Sequence, residues 1–91
     1  MSDFFTTRQQ TEDYLTLEAR ALPMPDGSRR VVVGFPLMWK NVEFLSTVPP
    51  YTEAKLMELA LHSQCETGRP LDQSFRNVVA YVMQQVAKRP L

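Results

Sequence analysis

Four side chains that could take part in chemistry lie close together, within residues 58–66. His62 and Cys65 are three residues apart, and Glu58 and Glu66 lie four residues before and after the histidine. Residues three and four apart share one face of a helix. A helix in this segment would therefore bring two carboxylates, an imidazole and a thiol to one surface, as a metal site or a Cys–His nucleophile pair requires.

The sequence lacks the further groups that a metal site or a Cys–His nucleophile would need. A structural zinc site takes four ligands, usually with a C-x-x-C pair, and the sequence has one cysteine and one histidine. A Cys–His nucleophile also needs an oxyanion hole and a substrate pocket, which one helix surface does not form. Gly34 and Gly68 are isolated, so they form no phosphate-binding loop. The sequence therefore predicts a protein that is not an enzyme and binds no metal or cofactor.

Length and charge narrow the remaining function classes. Ninety-one residues correspond to one domain, and ten basic residues balance ten acidic ones. Nucleic-acid binding normally relies on a surplus of Lys and Arg, so neutrality disfavours it. A local surplus remains around the middle of the chain, and the residues that could contact nucleic acid there are Arg20, Arg29, Arg30 and Lys40.

Cysteine content and hydropathy indicate the compartment. The single cysteine, Cys65, allows no internal disulfide, which is typical of a reducing environment. The first residues, MSDFFTTRQQ, include an early acid and lack the apolar stretch of a secretory signal. The apolar run VVVGFPLMW has nine residues, far fewer than a membrane span needs. We therefore expect a cytoplasmic protein that does not bind membranes.

Alternating side chains predict a first strand over about residues 14–22. Polar residues take every second position, which is typical of a half-buried strand. A helix is the alternative, because Leu, Glu, Ala and Arg are good helix formers. If the segment is a strand, one face of it is expected to carry its apolar residues, Leu15, Leu17, Ala19 and Ala21.

The segment PMPDGS, which follows, is the strongest local signal in the chain. Asp26 can hydrogen-bond back to the backbone and Gly27 tolerates positive φ, so the segment favours a turn. The next apolar run predicts a second strand over about residues 29–35, which completes a β-hairpin. Three consecutive valines in that strand imply that both of its faces are covered.

Three helices are predicted after the hairpin. The segment 37–47 fits either a helix or a third strand, and we favour a short helix that starts near Pro36. Helices over about 53–66 and 72–88 follow from apolar periodicity, with Thr52 and Asp72 as N-caps and Gly68 as C-cap. The expected fold is α+β: a loosely ordered segment 1–12 and a single domain over 13–91, in which a hairpin packs on two or three helices.

The apolar block in the middle of the chain suggests a function. Two helices can cover one face of a two-stranded hairpin, so the block is expected to remain partly exposed and to form an interface. The predicted function is a small, non-enzymatic regulatory or inhibitory protein that binds another protein or a second copy of itself as a homodimer. Trp and Tyr are frequent at interface hot spots, and the predicted partner-binding residues are Val32, Phe35, Met38, Trp39 and Tyr51.

A DNA-binding regulator is the alternative. The segment VVVGFPLMWKNVEFL resembles the strand-Pro-x-x-Trp-helix opening of ribbon-helix-helix proteins, and this resemblance implies a transcriptional regulator with Arg20, Arg29, Arg30 and Lys40 near the DNA. The segment departs from the pattern at one important point. Such ribbons present polar side chains to the major groove at alternate positions, whereas valine and glycine stand there in this chain.

Overall fold

The computed structural model describes residues 16–88, in which a two-stranded antiparallel hairpin precedes three helices. Strand β1 spans Glu18–Pro23 and β2 spans Arg29–Gly34. Helices α1, α2 and α3 span Pro36–Leu45, Glu53–Thr67 and Leu71–Ala87. The predicted α+β fold is confirmed, and the ambiguous segment after the hairpin is helical. The predicted loose segment 1–12 and residues 14–15 of the predicted β1 lie outside the described residues. The predicted β1 also includes residues 16 and 17, but the strand begins at Glu18.

The turn between the strands forms as its residue types predict. Gly27 has a φ of 89°, and its N–H donates to the carbonyl of Met24 at 3.0 Å. The backbone N–H and the hydroxyl of Ser28 both donate to Asp26 Oδ1, at 2.9 and 2.6 Å. These two bonds hold the pKa of the Asp26 carboxyl below its usual value. The predicted positive φ at Gly27 is confirmed.

Replacing Gly27 tests how much the turn depends on that backbone conformation. A Cβ at this position would meet no atom within 4 Å, so Gly27→Val should destabilise the fold through backbone strain alone, by about 1–2 kcal/mol. Gly27→Asn should cost less, because Asn tolerates positive φ. Urea denaturation of both variants measures the difference. Equal losses for Val and Asn would contradict the strain explanation.

Local capping chemistry fixes the ends of α1 and α2. Pro36 occupies the first turn of α1, where its missing N–H is not needed. Thr52 caps α2 by accepting the N–H of Lys55 on its hydroxyl at 3.1 Å. Gly68 ends α2 with a φ of 72° and donates its N–H to the carbonyl of Gln64 at 2.8 Å. Both predicted caps of α2 are confirmed.

The predicted N-cap of α3 is wrong. The helix begins at Leu71, with Pro70 at the cap position, because the buried Leu71 side chain belongs to the core and brings the helix start forward. Asp72 lies in the first turn, and its Oδ1 accepts the backbone N–H of Val33 at 3.3 Å. This acid therefore links α3 to β2.

The core lies between one face of the hairpin and the three helices. Helix α2 packs against β1, while α3 packs against β2, α1 and α2. Trp39 of α1 stacks on Phe75 of α3, with 5.9 Å between the ring centroids. The apolar stripes expected on the last two helices do cover one face of the hairpin. Fully buried residues from every element complete the core, among them Leu22, Val32, Leu45, Leu56, Met57 and Val79.

The face of β1 that was expected to be buried is the exposed one. Ala19 and Ala21 are exposed, whereas Leu22, on the opposite face, is fully buried. Arg20 shares the inner face with Leu22, and its guanidinium carbon lies 5.0 Å from the centre of the Trp39 ring. A long side chain of this kind can cover apolar surface while its charge reaches water. Arg20 therefore occupies a position on the inner face of β1, where an apolar residue would normally be expected.

Candidate functional site

The groups that could do chemistry lie on the surface of α2, in water. Nε2 of His62 is 3.1 Å from a carboxylate oxygen of Glu66, and both side chains are exposed. Glu58 pairs with Lys55 at 3.6 Å, and Cys65 is exposed. Within residues 16–88, no three His, Cys, Asp or Glu side chains are grouped so that they could hold a metal ion. These side chains form two pairs along the exposed surface of α2, His62 with Glu66 and Lys55 with Glu58.

Three of the five predicted partner-binding residues are part of the core. Val32 is fully buried, Met38 is buried, and Trp39 is 1% exposed. The indole N–H of Trp39 donates to the carbonyl of Glu18 at 3.0 Å. The expectation that Met38 and Trp39 stay partly exposed is wrong, because α1 itself turns both side chains inward and acts as a third covering helix.

The other two predicted residues remain partly accessible. Phe35 and Tyr51 are half-buried, and Tyr51 packs against the edge of the core. They lie at different ends of α1, since Phe35 precedes that helix and Tyr51 follows it by several residues. The structure therefore does not gather the five predicted residues into one surface.

The hairpin leaves one apolar face uncovered by the helices. Antiparallel register places Ala19 opposite Val33 and Ala21 opposite Val31. Val31 is 59% exposed, and Leu17, which precedes β1 and continues its alternation, is 56% exposed. We call the five residues Leu17, Ala19, Ala21, Val31 and Val33 the outer hairpin face. The helices cover one face of β2, which supports the prediction that the other hairpin face lacks cover within the chain. Coverage of that other face by a partner stays a prediction.

A groove between α1 and α3 is the second apolar surface. It encloses about 270 Å³, with the buried side chains of Met38 and Val79 at its base. Leu37, which is 48% exposed, stands at its edge. We call this feature the α1–α3 groove, and the residues that line it are Phe35, Leu37, Met38, Asn41, Arg76, Val79 and Ala80.

Sequence reasoning missed most of this groove, although a signal for its α1 side was present. Leu37, Asn41 and Phe44 follow one another at four- and three-residue spacing, and Leu37 and Phe44 are both about half exposed. This outer stripe lies beside the inward stripe that contains Met38 and Val42. Two apolar stripes on one short helix indicate that one of them lacks cover. No comparable signal marks Arg76 or Ala80.

The four residues predicted to contact nucleic acid lie on different elements, and two of them already interact with other groups of the chain. Arg20 pairs with Glu43 at 3.1 Å and with Glu18 at 3.4 Å. Arg29 donates to the carbonyl of Ala21 at 2.9 Å. Arg30 and Lys40 are exposed on β2 and α1. Of these four cations, Arg29 lies on the side of the outer hairpin face, at its end opposite Pro23. The five residues of the face themselves offer no polar side chains that could read bases.

Comparison with protein-family models, curated proteins and solved structures gives no match to this chain. The helices within residues 16–88 are too short or too polar to cross a membrane. The two apolar surfaces, the outer hairpin face and the α1–α3 groove, are therefore the features from which a function can be argued.

Proposed function

We propose that this protein is a small, non-enzymatic regulator or inhibitor that acts in the cytoplasm by binding another protein, and that it does so as a homodimer. The observation that carries the proposal is the outer hairpin face. Two of its three larger members, Leu17 and Val31, each leave more than half of their surface in water, and the third, Val33, is half-buried. Exposed apolar surface can form part of an interaction site, and does so more often the larger it is.

A second copy of the chain is the occupant that best fits this face. The five residues of the face are uncharged, and the nearest charge on that side is Arg29 at its end. The register pairs a small residue with a larger one across the strands, Ala19 with Val33 and Ala21 with Val31. A twofold axis through the face would place the valines of one copy over the alanines of the other. Such packing is self-complementary.

The size of the face limits the strength of this dimer. Two six-residue strands cover an area roughly 20 Å long and 10 Å wide. A standard interface buries about 800 Å² on each partner, several times this area. We therefore expect a dimer that dissociates at micromolar concentrations, and not an obligate one.

The non-enzymatic part of the proposal rests on the surroundings of the reactive groups. His62 and Cys65 lie on an open helix surface, where neither is shielded from water or directed towards a hollow that could hold a substrate. Catalysis relies on groups held in a water-excluding site. The single cysteine supports the proposed cytoplasmic location, as a chain of this kind does not depend on disulfides.

Sedimentation equilibrium tests the dimer. Val31→Asp places a charge at the centre of the proposed interface and should weaken self-association about tenfold or more. Tyr81→Asp is the matched control, because Tyr81 is 62% exposed and lies in a polar hollow between α2 and α3. It should associate as the wild type does. A wild-type protein that stays monomeric at several hundred micromolar would contradict the proposal, as would equal weakening by both variants.

A further inference from the structure

We infer that the α1–α3 groove binds an amphipathic segment of a partner protein, with one bulky apolar side chain in the groove and a neighbouring carboxylate on Arg76. This inference rests on the proposed function, because it names the site that a regulator would use for its target. It concerns a different surface from the outer hairpin face, so the two can be tested separately.

The shape and lining of the groove suit an apolar anchor. Its volume of about 270 Å³ lies below the range of roughly 300–1,000 Å³ that is typical of small-molecule sites. Met38 and Val79 at the base offer no hydrogen-bonding groups. Leu37 at the edge exposes about half of its surface. The groove therefore has room for a leucine, methionine or phenylalanine side chain, and its base favours an apolar one.

The base of the groove can adjust to its occupant. Met38 packs against Gly34 so closely that a Cβ on the glycine would collide with the methionine methyl group and lie 2.8 Å from its sulfur. The lack of a Cβ at Gly34 thus leaves the space that the end of the Met38 side chain occupies. Methionine adapts to differently shaped neighbours at low cost, so the groove can accept more than one kind of apolar side chain.

Charge complementarity specifies the rest of the ligand. Arg76 is the one charged residue among those that line the groove, and it is exposed. None of the ion pairs among residues 16–88 uses it. Asp72, one turn earlier on α3, is engaged by the backbone N–H of Val33. A partner carboxylate beside the apolar anchor could form a two-point hydrogen-bonded pair with the guanidinium.

Peptide titration tests both parts of the inference. The probe is a synthetic helical peptide of alanine and glutamine that carries one leucine and, four residues later, one glutamate. Two matched peptides replace the leucine with alanine or the glutamate with lysine. Binding is followed at low salt through backbone amide NMR shifts of the full chain. We expect saturable shifts at Leu37, Arg76 and Ala80 with the first peptide, and at least fivefold weaker binding of the other two.

Variants of the protein make the test specific. Arg76→Glu should lower the affinity for the glutamate peptide about tenfold and should raise the affinity for the lysine peptide. Arg69→Glu is the charge-matched control, since Arg69 lies in the polar hollow between α2 and α3 and should have no effect beyond general screening. Ala80→Phe, at an exposed position on the rim, should fill the groove and abolish binding while α3 stays folded.

Three results would overturn the inference. The first is a lack of saturable shifts at millimolar peptide. The second is equal weakening by the Arg76 and Arg69 variants, which would indicate general charge attraction. The third is loss of self-association in Ala80→Phe, which would make the groove part of the dimer contact. The Val31→Asp variant should still bind the peptide, so failure of the dimer and failure of the groove are distinguishable.

Discussion

Val32→Asp is expected to prevent folding, whereas Val31→Asp is expected to leave the fold intact. The two valines are neighbours in β2, but Val32 is fully buried and Val31 is 59% exposed. A small domain of this size lies near the lower end of the usual range, with a free energy of unfolding of about 5 kcal/mol. An unpaired carboxylate in the core would remove about 4 kcal/mol or more, while a substitution on an exposed strand face costs about 1 kcal/mol or less.

Circular dichroism and urea denaturation of the two variants show whether each of them folds. Val32→Ala serves as the control for lost volume, and it should fold with a deficit of about 2 kcal/mol. The distinctive result is a pair of adjacent aspartate variants, one unfolded and the other folded but defective in self-association. If the Val31 variant unfolded as well, the outer hairpin face would have to be covered by another part of the chain.

Trp39→Ala is expected to lower the free energy of unfolding by about 4 kcal/mol. The indole is 1% exposed, stacks on Phe75 and donates its N–H to the carbonyl of Glu18. Trp39→Phe should keep much of the stacking and lose the hydrogen bond, at a cost of about 1–2 kcal/mol. Chemical denaturation followed by circular dichroism measures both values without relying on tryptophan fluorescence.

The same variants separate a core role from an interface role for Trp39. Tyr81→Ala, which truncates an exposed ring, should change stability by no more than about 0.5 kcal/mol. If Trp39→Ala instead cost less than about 1 kcal/mol and loosened self-association, Trp39 would be the interface hot spot that its residue type suggests. Its burial makes the larger stability loss the expected result.

Local chemistry made several parts of this fold predictable. Asp26 and Gly27 specify the turn, Pro36 starts α1, and Thr52 and Gly68 bound α2, because each of these residues acts on backbone groups within four positions of itself. The periodicity of α3 likewise indicated which of its side chains are buried. Such signals need no knowledge of the rest of the chain. They were sufficient for the α+β class and for the order of the elements.

Tertiary packing selected which face of the hairpin is inside. Alternation shows that β1 has two faces, but both faces of β2 are apolar, so pattern alone does not choose between them. The choice depends on Arg20, whose guanidinium pairs with Glu43 on α1 and lies over the Trp39 ring. These contacts join residues 19 and 23 positions apart in the sequence. The strand therefore turns its alanines outwards, contrary to what its own sequence suggests.

The same dependence on packing explains why the sequence did not predict where the candidate binding surfaces lie. Leu37 and Arg76 belong to different helices and meet at one groove only once α1 has packed against α3. Trp39, by contrast, was predicted from the sequence as a partner-binding residue, and its own helix, α1, places it in the core. Residue type predicted that this chain carries more apolar surface than a hairpin and two helices can bury. The relative positions of three helices determined where that surface remains, because exposure is a property of packed neighbours and not of the residue alone.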